Sequence, residues 1–226
     1  MKRVTLAKQQ QKEQTRAKLI DAALEVFALN GFERATVEEI SVAAGYSKGA
    51  YYFHFATKEE ILLELLGVWT AEQSRRLKAF EAQPVLAAAL LETLESFLSY
   101  AERDGRWPRL LVEFWAQAQR SDRVRSSLQD AYASWRRDLS RVFHEEAEAG
   151  VLSSSLDAET AALMMLAAHD GLVVEHCLGD RRGRGASLRK VLGMLLASLV
   201  DSPEASVGPA PRTAGPSRLR KGGLRR

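Results

Sequence analysis

Residues 36–58 read TVEEISVAAGYSKGAYYFHFATK, and the fold of the chain follows from them. Thr36 followed three positions later by Glu39 is a capping box, in which each side chain satisfies a free backbone amide at a helix start. Val37, Ile40 and Ala44 then fall at i, i+3 and i+7, one apolar stripe on a short helix. Gly45 stops it, because glycine enters the left-handed backbone region without steric cost. Ser47 can cap a second helix, along which Lys48, Gly49, Tyr51, Tyr52 and His54 follow. Two short helices joined by a tight turn make a helix-turn-helix. The second carries the polar, basic and aromatic groups that suit a DNA major groove. Ile40, Ala43, Ala44 and Phe55 are the expected core-facing residues.

Helical periodicity continues on both sides. Ile20, Ala23, Leu24 and Phe27 stand at i, i+3, i+4 and i+7 and predict a helix ended by Asn30-Gly31. Thr57 followed by Glu60 is a second capping box, opening a long helix through Ile61, Leu62, Leu65 and Trp69 to about Phe80. Pro84 starts another to about Arg103, broken at Asp104-Gly105. Helices from about Pro108 to Gln119 and over 122–149 follow, the latter stopped by Gly150. From Ala158 to Leu178 the chain is apolar nearly all round, which a helix tolerates only when covered on several sides. Leu188, Val191, Leu192, Leu195, Leu196 and Leu199 form a wide stripe on a last helix over Ser187 to Val200. No run alternates at period two over a strand's length.

The expected fold class is therefore all-α, with about nine helices. A basic arm over 1–14 leads into a three-helix DNA-binding domain over 15–58. A helical regulatory and dimerisation body spans 59–201. The tail over 202–226 is rich in Ser, Pro, Gly, Ala and Arg and cannot bury enough apolar surface to fold.

The net charge of +3 is unevenly spread. Residues 1–18 hold six basic side chains against Glu13, residues 202–226 hold six against Glu204, and the stretch between is net acidic. Cationic ends on an acidic body fit a protein that meets nucleic acid at a defined edge. The single cysteine, Cys177, excludes an internal disulfide and suits a reducing cytoplasm. The basic start has no apolar segment of a secretory signal, and no stretch reads as a membrane span, so a cytoplasmic protein is expected.

With these helices placed, the chain resembles the TetR/AcrR family of bacterial transcriptional repressors. The resemblance is carried by Thr36, Ile40, Ala43, Ala44, Gly45, Ser47, Lys48, Gly49, Tyr52, Phe55 and Lys58, and covers about residues 12–62. A second, more diffuse likeness over roughly 107–180 is to the BetI-type regulatory domain, through WPRLLVEFWAQAQ, Glu148-Ala149-Gly150 and Asp170-Gly171-Leu172. Ala50 and Tyr46 depart from the usual threonine and valine of the family, which leaves the operator sequence open.

The resemblance implies a homodimeric repressor that binds a palindromic operator in double-stranded DNA and answers to a small molecule. Phosphate contacts are expected from Thr36 and Ser47 with the helix-start amides, from Tyr52 and His54, and from Lys58 as a point charge. Base reading falls to Lys48, Gly49, Ala50 and Tyr51. Leu172, Glu175, Leu188, Val191, Leu192, Leu195 and Leu199 are expected at the dimer interface of the last two helices. Trp69, Trp107, Phe114, Trp115, Met164, Met165, His169 and His176 are candidates for an effector pocket, and their apolar character points to a hydrophobic or amphipathic effector. The competing class is a helical small-molecule-binding or adaptor protein without sequence-specific DNA binding.

No chemistry suggests an enzyme. His169-Asp170 and His176-Cys177 are adjacent pairs, and neighbours on a helix point about 100° apart, so neither pair converges on one ion or one substrate atom. No glycine-rich phosphate loop or paired carboxylate is present, and no cofactor or metal is expected.

Overall fold

The computed structural model describes residues 2–80, 105–178 and 184–199, which contain eight helices. They are α1 (Lys2–Asn30), α2 (Val37–Ala43), α3 (Lys48–His54), α4 (Lys58–Phe80), α5 (Arg106–Ala118), α6 (Asp122–Glu148), α7 (Ala158–Leu178) and α8 (Arg184–Leu199). The expected helix over 84–103 and the tail over 202–226 lie outside the described residues.

Helix α1 is 29 residues long and takes in nearly the whole of the expected basic arm. Its first half, rich in Leu, Ala, Lys, Gln and Glu and free of Gly and Pro, is made of good helix formers, so no break separates arm from domain. The second half buries Leu19, Ala23, Leu24 and Phe27. Gly31, at φ 77°, turns the chain out of it. The first capping box forms completely and the second in half. Thr36 Oγ1 accepts the Glu39 amide at 3.1 Å, while Glu39 accepts the Thr36 amide at 2.8 Å. Thr57 Oγ1 accepts the Glu60 amide at 3.2 Å, and Glu60 reaches one residue further back, to the Ala56 amide at 2.7 Å.

Helices α2 and α3 pack together and α2 lies against α1, while α4 connects this head to the body, packing on both α1 and α6. In the body, α6 turns Val124, Leu128, Ala131, Trp135, Val142 and Phe143 inward. Trp69 of α4 meets Trp135 edge-to-face at 4.2 Å between ring centroids. Helix α5 touches both halves. Its Glu113 accepts the Phe32 amide at 3.0 Å, Gln117 donates to Glu33 at 3.1 Å, and Arg120 lies 3.3 Å from the same carboxylate. Arg106 pairs with Asp21 at 3.2 Å, and the Ser121 hydroxyl donates to Glu59 at 2.8 Å. Head and body therefore share one continuous apolar core sealed by polar links at its edge.

The expectation that no stretch reads as a membrane span is corrected by α7. With 21 residues and a mean hydropathy of 1.3 over its most apolar window, it is long and apolar enough to cross a membrane. Packing explains part of that composition. Ala161, Ala162, Met165, Leu166, Leu172 and Val173 are buried against α5 and α6, a third of the apolar window is buried in all, and His169, Asp170 and Glu175 break the apolar run.

Candidate nucleic-acid interface

Helix α3 is placed by its ends and by one buried face. Ser47 Oγ accepts the Ala50 amide at 3.2 Å, an N-cap that leaves the remaining first-turn amides pointing outward. Gly45, at φ 75°, makes the turn from α2 that no side chain with a Cβ makes comfortably. Tyr51 and Phe55, four residues apart, anchor the inner face. Outward stand Ser47, Lys48, Gly49, Tyr52 and Phe53, with Ala50 and His54 half-buried at the margin. A ridge with a basic residue, a small central position and a tyrosine is a shape that a major groove accepts and whose edges reach phosphates.

Tyr51, expected among the base readers, is not one. Its ring is fully buried and its hydroxyl donates to the Thr57 carbonyl at 3.0 Å, tying α3 to the start of α4. Burial, and then the neighbouring Tyr52 and Glu60, push its phenol well above the usual tyrosine value. Lys58 is corrected as well. Its ammonium donates to the carbonyls of Phe32 at 2.9 Å, Glu33 at 3.2 Å and Ala35 at 2.7 Å, and lies 4.9 Å from the Phe32 ring centroid. It closes the α1–α2 loop and is not a charge held out to a phosphate. Ala43, expected in the core, faces solvent, and the neighbouring Ser41 is buried in its place, donating to the Val37 carbonyl at 2.7 Å.

The other expected contacts are more open. The Thr36 hydroxyl is exposed and engaged with Glu39 on both its donor and acceptor sides, so it acts as a cap. Lys48 pairs with Glu38 of α2, and that hydrogen bond raises the ammonium and lowers the carboxyl from their ordinary values. His54 titrates below the usual histidine value, through burial first and then the charges of Lys12 and Arg16. Sequence reasoning passed over Phe53, which is 70% exposed, and Val42, which is 78% exposed. Helical phase was the available signal: Phe53 stands about 200° from both Tyr51 and Phe55, so it must face away once those are inside.

In the body, the effector candidates are largely core. Phe114 is fully buried, and Trp69 and Met165 nearly so, while Trp107, Trp115, Met164, His169 and His176 are partly buried. Trp69, Trp115 and His169 among them meet a polar chain that periodicity does not reveal. Trp115 Nε1 donates to the Tyr132 hydroxyl at 3.0 Å, and that hydroxyl lies 2.9 Å from both Asp170 carboxylate oxygens. His169 Nδ1 is 3.2 Å from Asp170, and Trp69 and Trp135 border the cluster. Burial and the Asp170 charge raise the Tyr132 phenol strongly, so it remains the donor in this chain.

The expected dimer residues divide. Leu172 and Leu199 are buried within their own subunit and cannot form the outer surface. Glu175 and Val191 are exposed, Leu195 is half-buried, and the side chains of Leu188 and Leu192 lie outside the described residues. One position out of phase with Leu172, a different stripe is open along α7: Leu163, Ala167, Gly171, Val174 and Leu178. Met194 joins Val191 on the exposed side of α8.

Two family models match the chain. The model for bacterial regulatory proteins of the tetR family matches residues 19–65, and the model for the C-terminal part of BetI-type transcriptional repressors matches residues 86–201. The HTH-type transcriptional regulator TtgR of Pseudomonas putida is 27% identical over 166 residues, covering 71% of this chain and 79% of TtgR. FadR from Bacillus subtilis, solved in complex with stearoyl-CoA, has the same fold, with a TM-score of 0.70 at 22% identity over 80% of this chain and 97% of that one. SmeT, the repressor of the Stenotrophomonas maltophilia multidrug efflux pump SmeDEF, gives a TM-score of 0.68 at 20% identity over 89% of this chain and 100% of its own.

Proposed function

The chain belongs to the tetR family of bacterial regulatory proteins and is a DNA-binding transcriptional regulator, and we propose that it is a ligand-responsive repressor acting on a palindromic operator as a homodimer. The observation that carries this reading is the outward face of α3. Ser47, Lys48, Gly49 and Tyr52 are exposed together on a helix whose opposite side is sealed by Tyr51 and Phe55. One such helix reads only a few base pairs, so useful specificity needs a second copy on the other half-site. The open stripe of α7 with Val191 and Met194 of α8 supports that pairing, since a contiguous apolar face is seldom left to water. Such a protein works in the cytoplasm, where its operator is.

The effector belongs in the body, around Trp69, Trp115, Tyr132 and Asp170, and is hydrophobic or amphipathic. Aromatic walls supply the apolar contact, and the Asp170 chain offers one polar anchor. The stearoyl-CoA held by the FadR neighbour is amphipathic in this sense.

The test is retention of duplex DNA by the purified protein at two salt concentrations, using the region upstream of its own and neighbouring genes. A repressor of this kind retains one fragment with a steep salt dependence. A helical adaptor or carrier retains none, and that outcome rejects the proposal.

A further inference from the structure

Helix α1 extends well beyond the domain it belongs to. Leu19 is the first fully buried residue along its described side chains, so about 17 residues, or roughly 25 Å of helix, project ahead of the core. This projection does not leave the DNA-facing side. It runs beside α3, and the two helices border an open groove of about 680 Å³ that includes Lys8, Lys12, Ala50, Phe53 and His54. The Lys12 ammonium sits 5.3 Å from the centroid of the exposed Phe53 ring, which meets His54 edge-on at 5.1 Å.

The charges on this helix sort by position. Arg16, nearer the core, is paired with Glu64, and Lys18 lies over the Tyr46 ring at 5.8 Å. Glu13 accepts from Gln9 at 3.1 Å. Lys8 and Lys12, one turn apart on one face, have no carboxylate partner among the described residues. Two uncompensated ammonium groups thus stand next to the helix that enters the groove, on an element rigid enough to hold them in register. Lysines placed this way gain most from a polyanion, whereas an apolar small molecule in the same groove leaves both without a counter-charge.

Resting on the reading that α3 lies in the major groove, we propose that the N-terminal half of α1 is a second DNA-contacting element. It follows the phosphate backbone flanking each half-site, with Lys8 and Lys12 on successive phosphates and Phe53 covering the sugar edge between the two helices. The protected site is then longer at both ends than α3 alone dictates, and the added contact is indifferent to base sequence.

The experiment uses the full chain and a duplex that the wild-type protein itself selects from a random-sequence pool. Affinity for that duplex is measured across a salt series for wild type, Lys8→Gln/Lys12→Gln and Lys8→Arg/Lys12→Arg. Each phosphate contact contributes about 0.9 to the slope of log K against log salt, so removing two in each of two subunits flattens the slope by about 3.6. The glutamine variant also shortens the hydroxyl-radical footprint at its outer ends, and the arginine variant restores both. Lys8→Gln alone, farther from the core and without consequence for folding, flattens the slope by about 1.8. Unchanged slope and footprint in the glutamine variants overturn the proposal. A wild-type chain that selects no duplex overturns instead the regulator reading beneath it.

Discussion

Tyr52→Ala removes a ring and hydroxyl that stand 51% exposed on the outer face of α3 and touch little of the core. We expect at least a tenfold loss of operator affinity, read by gel retention, with the thermal midpoint within about 2 °C of wild type. Lys48→Ala should behave alike. Its neighbour Tyr51 gives the opposite pattern: Tyr51→Phe deletes the bond to the Thr57 carbonyl and costs about 1 kcal/mol in denaturant unfolding, with DNA affinity intact. Glu38→Gln frees Lys48 and takes a negative charge off the DNA-facing edge, so affinity should rise by roughly threefold in a fluorescence titration. His54 adds a pH term whose sign is set by its lowered value. As pH falls below about 6.5 the unfolded chain takes up this proton before the folded one, so the His54 contribution to stability declines. A phosphate beside the ring favours the charged form, so DNA binding should strengthen over the same interval, and His54→Gln should flatten both trends. These opposite fates of adjacent tyrosines could be read only through Phe55. Tyr51 lies one turn before it and turns inward with it, Tyr52 does not, and packing against the rest of the head holds that phase.

At the level of whole elements, much more was readable. Capping boxes are local chemistry: Thr36-Glu39 forms one in full, and Thr57 caps the Glu60 amide while Glu60 reaches back to the Ala56 amide instead of closing the second. Gly31, Gly45 and Gly150 each end a helix with a positive φ. The links between elements were not readable, because they join residues far apart in sequence. Lys58 looks like a phosphate ligand from its position, yet three carbonyls of the α1–α2 loop hold it. Lys58→Met should therefore lower stability by about 2 kcal/mol in urea unfolding while leaving the salt slope of DNA binding unchanged. A slope reduced by about 1 per subunit would return Lys58 to the phosphates.

For the whole molecule, the all-round apolarity of α7 announced that the helix must be covered, but not which side faces its own body and which another copy. Leu172 and Val174 differ by about 200° around the axis, and a stripe wide enough to include both is consistent with either assignment. Leu172 is buried against its own body and Val174 is exposed, so the proposed pairing uses the Val174 side. Val174→Glu should thus give a folded monomer by sedimentation, with native helicity and no retention of a palindromic duplex. Gly171, in the middle of the open stripe, leaves room for two helix backbones to come close, and Gly171→Leu should weaken the same association.

Helix α5 has only 13 residues, and Glu113 and Trp115 stand two positions apart on it, facing opposite ways. One grips the Phe32 amide of the head, the other the Tyr132–Asp170 chain of the body. A short rod cannot absorb a push by bending. On the proposed effector site, a guest that drew Asp170 away from Tyr132 would roll the rod, and the roll would reach the Phe32 turn of the head within a single turn of helix, with no long relay in which it could fade.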